Sequence, residues 1–239
     1  MNKYKVTLSK KGNQINSVDD WYKYAPPMKK DIHWKDGKSA QELAKYIIEG
    51  NKYLPQELEV LLIKIGCQPS GELQGEPEAI TGLKSRGQGR THDLLLVKEN
   101  EVVVGIEAKV EEPLDEPVYK IIEDLIMKKP EDAKGKYKRL KYLYKCIYDS
   151  EIDNTYLKYQ LLTSTVGILL EAEKVGAKKG VLAVITFISA LGHMSNSMKK
   201  NKYDLNYFIS TISKYKQSEG FYRLPGFEDI EFYVEDLYI

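Results

Sequence analysis

Residues 90–110 read RTHDLLLVKENEVVVGIEAKV, and this stretch decides the fold. From Val102 the chain alternates strictly. Val102, Val104, Ile106, Ala108 and Val110 fall on one side of an extended strand, with Val103, Gly105, Glu107 and Lys109 on the other. The first set reads as a core face, and the second sets a carboxylate beside an ammonium at the strand's end. Residues 92–97 read as the preceding strand and 98–101 as the turn between them. With the turn centred on Asn100, facing residues have numbers that sum to 200. Asp93 is then expected opposite Glu107, with His92 pointing to the other face. A slip of one residue would undo this arrangement.

Facing carboxylates repel across a strand pair. A divalent cation removes that penalty, since Mg²⁺ is held by one or two carboxylates together with waters and phosphate oxygens. Lys109, one pleat further on, is placed to orient an attacking water or stabilise developing negative charge. The bland alternative is a surface strand with a solvated Glu–Lys pair and an unrelated aspartate.

Outward from the hairpin, residues 39–50 read as a helix, with Ala40, Leu43, Ala44 and Ile47 on one stripe. Ser39 and Glu42 form a capping box and Gly50 a stop. Pro55 opens a second helix that closes at Gly66. Residues 71–90 suggest one irregular strand and a polar loop. Helices are predicted over 118–129, about 133–149 and about 156–174, then a buried strand over 180–189. A short helix at 205–212 and β-like segments at 221–224 and 231–238 finish the chain. Strands and helices intersperse, so the class is α/β with a mixed sheet. One domain is expected over 1–239, with its core at 39–190. Residues 1–38 lack clear periodicity and are expected to wrap the surface, while 191–239 form a C-terminal α/β extension.

Asp93, a gap of thirteen residues and then Glu107-Ala108-Lys109 in an apolar strand resemble the D…(D/E)-x-K signature of the PD-(D/E)XK, or restriction-endonuclease-like, superfamily. The wording of the hairpin is similar to a bacterial branch of it, and His92 stands where the signature has proline. The resemblance implies an αβββαβ core and Mg²⁺-dependent hydrolysis of phosphodiester bonds in nucleic acid, with Mn²⁺ as a substitute and DNA as the favoured polymer. It implies Asp93 and Glu107 as metal ligands, the Ala108 carbonyl as a further one and Lys109 as the catalytic lysine. A first-helix acid often joins such a cluster, and Glu42 is the first choice, with Glu57 and Glu59 behind it. Gln160 begins a stripe with Thr163, Ser164, Gly167 and Glu171 at helical spacing. A glutamine after the E-x-K strand resembles the exonuclease-like branches, although Ser164 stands where those carry tyrosine. Close helix packing through small residues explains the same stripe.

Lys84, Arg86 and Arg90, interleaved with glycines, make a basic loop suited to phosphates; a solvated loop fits equally. The cations from Lys134 to Lys145 punctuate a helix and read first as a solvated face. Glu111, Glu112, Asp115 and Glu116 would repel a phosphate backbone unless they cap the next helix. His33, His92 and His193 have no zinc-type spacing, and no P-loop, nucleophile elbow or dinucleotide fingerprint occurs.

Composition sets the outer bounds. The 239 residues are 42% hydrophobic, enough for a sizeable core, and 36 cations nearly cancel 35 anions, so any basic footprint must be local. Cys67 and Cys146 form no framework and are expected in the core of a protein in a reducing compartment. The start of the chain has no apolar leader, and the longest apolar run is too short to span a bilayer, which favours a soluble cytoplasmic protein. The eighteen tyrosines read as compositional bias rather than chemistry. A homodimer is left open, as are two other functions: a silent nuclease-fold domain that binds nucleic acid or a protein, and a small-phosphoester hydrolase.

Overall fold

A computed structural model describes residues 4–28, 30–69, 71–83, 89–188, 194–217 and 220–239. Its strands are β1 (Lys5–Lys10), β2 (Asn13–Gln14), β3 (Glu72–Thr81), β4 (Arg90–Lys98), β5 (Val102–Lys109), β6 (Lys179–Thr186) and β7 (Glu231–Tyr238). They form one sheet in the order β2-β1-β3-β4-β5-β6-β7. The centre, β3-β4-β5, is antiparallel, whereas β1 runs parallel to β3, and β6 and β7 run parallel to β5. The molecule is therefore a mixed α/β fold.

Among the described residues seven α-helices cover the two faces: α1 (Val18–Tyr24), α2 (Ser39–Glu49), α3 (Gln56–Lys64), α4 (Val118–Ile126), α5 (Pro130–Tyr148), α6 (Tyr159–Lys174) and α7 (Asn196–Ile212). Leu43, Ile47, Leu58 and Leu62 from α2 and α3 pack on Val104, Ile106 and Ala183 in one core. Leu143, Leu161, Leu169 and Phe208 from α5, α6 and α7 pack on Val103, Leu182 and Phe232 in the other. A sheet buried on both faces explains why β5 has no exposed side: even Glu107 is completely buried.

The β4–β5 register agrees with the sequence reading. Leu94 pairs with Ile106 and Lys98 with Val102, each pair summing to 200, and Asn100 adopts the left-handed φ of +61° in the turn. Both cysteines are buried, and neither forms a disulfide among the described residues.

Several expectations need correction. Residues 4–25 do not wrap the surface, although 30–38 stay mostly exposed. Tyr4, Val6 and Leu8 are buried alternately, β1 joins the sheet beside β3, and Trp21 of α1 is buried behind Ser17, whose side chain caps the helix. Ser39 and Glu42 make no capping box: Lys38 is the N-cap, and Glu42 instead accepts from the Gly37 N–H at 2.9 Å and from Lys45. The final helix is longer than expected: it starts at Asn196, nine residues ahead of the start read from the pattern, where Ser195 caps it by accepting from Met198 N–H. Residues 221–224 form no strand but two isolated bridges, Tyr222 to Lys216 and Tyr222 to Phe232, and β7 extends the sheet. Lys84, Arg86 and His193 lie outside the described residues.

Candidate active site

The site is built where two strands change face at facing residues. In β3, Leu73 belongs to the α2/α3 core and Ala79 to the α6 core, although both carry odd numbers. In β4, Leu94 and Leu96 face α2 and α3, while His92 points under α6. A regular strand would keep each set on one face. The β3–β4 pairing runs on both sides of this point, from Pro77–Leu94 to Ala79–His92, with Glu78 and Asp93 left as the facing residues between them. Glu78 carries a φ of +48°, a left-handed conformation costly for any residue with a side chain. The pair 78/93 is thus a shared kink.

β5 does not kink. Its pairing with β4 ends at Leu94–Ile106, and beyond it Asp93 Oδ2 accepts the Ala108 N–H at 2.7 Å. A side-chain carboxylate therefore holds the backbone where the strands part. Glu107 points under α6, where Gln160 Nε2 donates to Oε2 at 2.7 Å and Ser164 Oγ donates to Oε1 at 2.8 Å. Arg90 forks onto the same carboxylate, through Nε at 3.2 Å and through Nη2, and Nε also reaches Ser164 Oγ at 2.9 Å. His92 Nδ1 lies 3.0 Å from Oε1. An ionised carboxylate only accepts, so Nδ1 is the donor, and the ring's Nε2 meets Thr81 Oγ1 at 3.0 Å.

Close backbone approach makes this possible. A Cβ on Gly105 would sit 2.6 Å from Ile168 side-chain carbons, and one on Gly167 would sit 2.3 Å from Thr81 Oγ1. The small-residue stripe therefore both packs and supplies donors. Its Gln160 also ties the site outward, since Oε1 accepts the Asp115 N–H at 3.2 Å. Asn201 of α7 pins the same loop from the other side, accepting from Leu114 N–H and donating to the Glu112 carbonyl.

Charge is unevenly compensated. Burial pushes the Glu107 pKa up, but the Arg90 guanidinium, the His92 hydrogen bond and the Lys109 charge outweigh it and hold the carboxyl well below the usual range. Burial, then the nearby Glu107 charge, pushes Asp93 up against the pull of Lys109, the Ala108 N–H and Arg90. Burial, then Asp93, pushes Glu78 up to about 8, with Lys10 opposing. The Lys109 side chain makes no hydrogen bond or ion pair among the described residues and acts on both acids through its charge.

The structure thus brings Asp93, Glu107, Lys109, Ala108, Gln160 and Arg90 together. Arg90 is a strand residue turned inward onto Glu107, not part of an exposed phosphate-binding loop. Glu42 stays with Gly37 and Lys45, and Glu57 accepts from Tyr46 OH on an exposed face. His92 reverses its expected direction. Glu78, His92, Thr81 and Asn201 were not singled out for the site; of these, only His92, beside Asp93, carried a signal that could have flagged it. Among the described residues no three or more His, Cys, Asp or Glu converge as a ready-made metal cage, and no helix is long and apolar enough to cross a membrane.

A mixed seven-stranded sheet between helices, with one buried carboxylate enclosed by donors and a second at a strand parting, defines the class structurally. The chain belongs to the DUF6946 family, a domain of unknown function, whose model matches residues 14–235. Neither the curated proteins nor the solved structures contain a match.

Proposed function

We propose that this chain is a metal-dependent phosphodiester hydrolase acting on nucleic acid, with DNA as the favoured substrate. The observation that carries the reading is the surplus of carboxylate at the strand parting. Burial, then the Glu107 charge, pushes Asp93 up, and burial, then the charges of Asp93 and Glu107, pushes Glu78 up. Such a group of acids is relieved by protonation or by a cation. The order α3-β3-β4-β5, followed after α4 and α5 by α6 and β6 with β6 parallel to β5, supports the αβββαβ reading that the PD-(D/E)XK resemblance implies.

The residues fit a hard cation in part. Only Oδ2 of Asp93 has a described donor, and no described group donates to the Glu78 carboxylate, so oxygen ligands are on offer. Asp93 would hold Mg²⁺ or Mn²⁺, with the Ala108 carbonyl in reach of the same reading. Both oxygens of Glu107 are already engaged, so its entry would require exchanging the Arg90 fork. A bound metal would polarise a phosphoryl oxygen and supply an acidified water. Lys109 would stabilise negative charge developing on the phosphate, and Gln160 and Ser164 hold Glu107 in place.

The enclosure of Glu107 favours a second reading, a silent nuclease-fold domain that binds nucleic acid or a protein. Cleavage separates the two. Wild-type protein with Mg²⁺ or Mn²⁺ is expected to cut linear duplex or single-stranded DNA, with Lys109→Ala and Asp93→Asn reducing the rate by about 100-fold. Undiminished cutting by both variants, or no cutting by correctly folded wild type, contradicts the hydrolase.

A further inference from the structure

Tyr119, Tyr156, Tyr203 and Tyr207 meet in one open cleft of about 700 Å³, a volume suited to a nucleotide-sized ligand. Their rings come from three segments, α4, the loop before α6, and α7. Tyr203 and Tyr207 lie with planes 2° apart, and Tyr119 and Tyr156 rest 5.8 Å apart at their centroids. Tyr156 is 71% exposed and Tyr203 69%, so ring faces meet solvent where burial would ordinarily be gained.

The charges of the cleft cancel. Lys120, Lys158 and Lys200 face Asp115, Glu116 and Asp204. Lys158 and Lys200 both turn to Asp204, at 3.5 and 3.1 Å. A phosphate gains little from such a balanced rim, whereas a neutral, flat, hydrogen-bonding ring gains stacking area and edge partners. The cleft also shares a wall with the candidate active site: Asp115 N–H donates to Gln160, whose amide donates to Glu107.

We propose that this cleft stacks an unpaired nucleobase, so that the substrate is single-stranded or frayed nucleic acid; the assignment rests on the nucleic-acid reading above. Stacking on tyrosine is sequence-tolerant, because every base offers a π face. A base lodged here keeps its strand beside the Gln160–Glu107 wall. A free nucleotide offers the same ring.

The test measures binding without chemistry. Full-length protein is titrated, with a chelator present, into a fluorescein-labelled single-stranded oligodeoxynucleotide, and anisotropy is read. Expected is binding that weakens roughly tenfold or more in Tyr203→Ala and Tyr156→Ala, is kept in Tyr203→Phe, and is poorer for a blunt duplex. Competition by mononucleotides at matching base concentration would support the ring assignment with a free nucleotide as the source; competition by strands alone supports the polymer. No binding, equal binding of duplex, or binding unmoved by both alanine variants overturns the proposal. Intact binding without cleavage would fault the hydrolase and leave the cleft standing, while cleavage with no tyrosine dependence would do the reverse.

Discussion

Nδ1 of His92 stands 3.0 Å from Oε1 of Glu107, on the α6 side of the sheet. Strand alternation assigns that place to Asp93. The exchange follows from the kink shared by Glu78 and Asp93, which turns His92 inward and leaves Asp93 to hold the Ala108 N–H at the parting of β4 and β5. One carboxylate becomes enclosed and ionised, and its neighbour is left under-compensated.

The enclosure depends on Arg90. Removing it strands an ionised carboxylate in a dry site, at a cost of about 3–5 kcal/mol. Urea denaturation of Arg90→Ala is expected to show a loss of that order. Adding Glu107→Gln to Arg90→Ala is expected to recover part of it, because the amide has no charge to compensate. A neutral Arg90→Ala would show that the ion pair does not hold this part of the fold.

Gly167 and Gly135 both sit inside helices and should respond oppositely to alanine. The Gly167 Cβ would collide with the Thr81 hydroxyl and crowd His92, so Gly167→Ala is expected to destabilise by about 1–3 kcal/mol. Gly135 of α5 has open space around it, and Gly135→Ala is expected to stabilise by about 0.5–1 kcal/mol. Thermal melts of the two variants check the sign.

Stability should fall on both sides of about pH 4.5, for different reasons. Glu107 has its pKa lowered by folding, so its contribution is present above the unfolded value of about 4.5 and is lost as pH drops below that. Glu78 has its pKa raised to about 8, so its contribution is complete below about 4.5 and drains away as pH climbs to about 8. That limb has a slope of about 1.4 kcal/mol per pH unit for one proton. Glu78→Gln is expected to flatten the fall between about pH 4.5 and 8 and leave the loss below 4.5 in place. An unchanged fall between about 4.5 and 8 in the variant would show that Glu78 does not titrate there.

How much of this was legible follows from what each residue signals to its neighbours. The alternation of β5 and the 98–101 turn put Glu107 and Lys109 on one face in correct register, because period-2 patterning and hairpin length are local. The Gln160, Ser164 and Gly167 stripe likewise pointed to a helix face, and that face does meet Glu107. The kink was not legible, since a glutamate at positive φ leaves no trace in a sequence, and with it went the directions of His92 and Arg90. β1 was missed because three alternating apolar residues, Tyr4, Val6 and Leu8, sit among lysines, and its partner β3 lies more than sixty residues away. The tyrosine cleft is assembled from segments between Tyr119 and Tyr207, so composition alone made its rings look like bias.

The central claim is that the acids at the strand parting hold a divalent cation. Isothermal titration of Mg²⁺ and of Mn²⁺ into metal-free protein tests it most directly. One saturable site is expected in the wild type, lost in Asp93→Asn and kept in Glu42→Gln, whose side chain lies with Gly37 and Lys45. No saturable binding by folded wild-type protein, or binding that Asp93→Asn leaves unchanged, would contradict it.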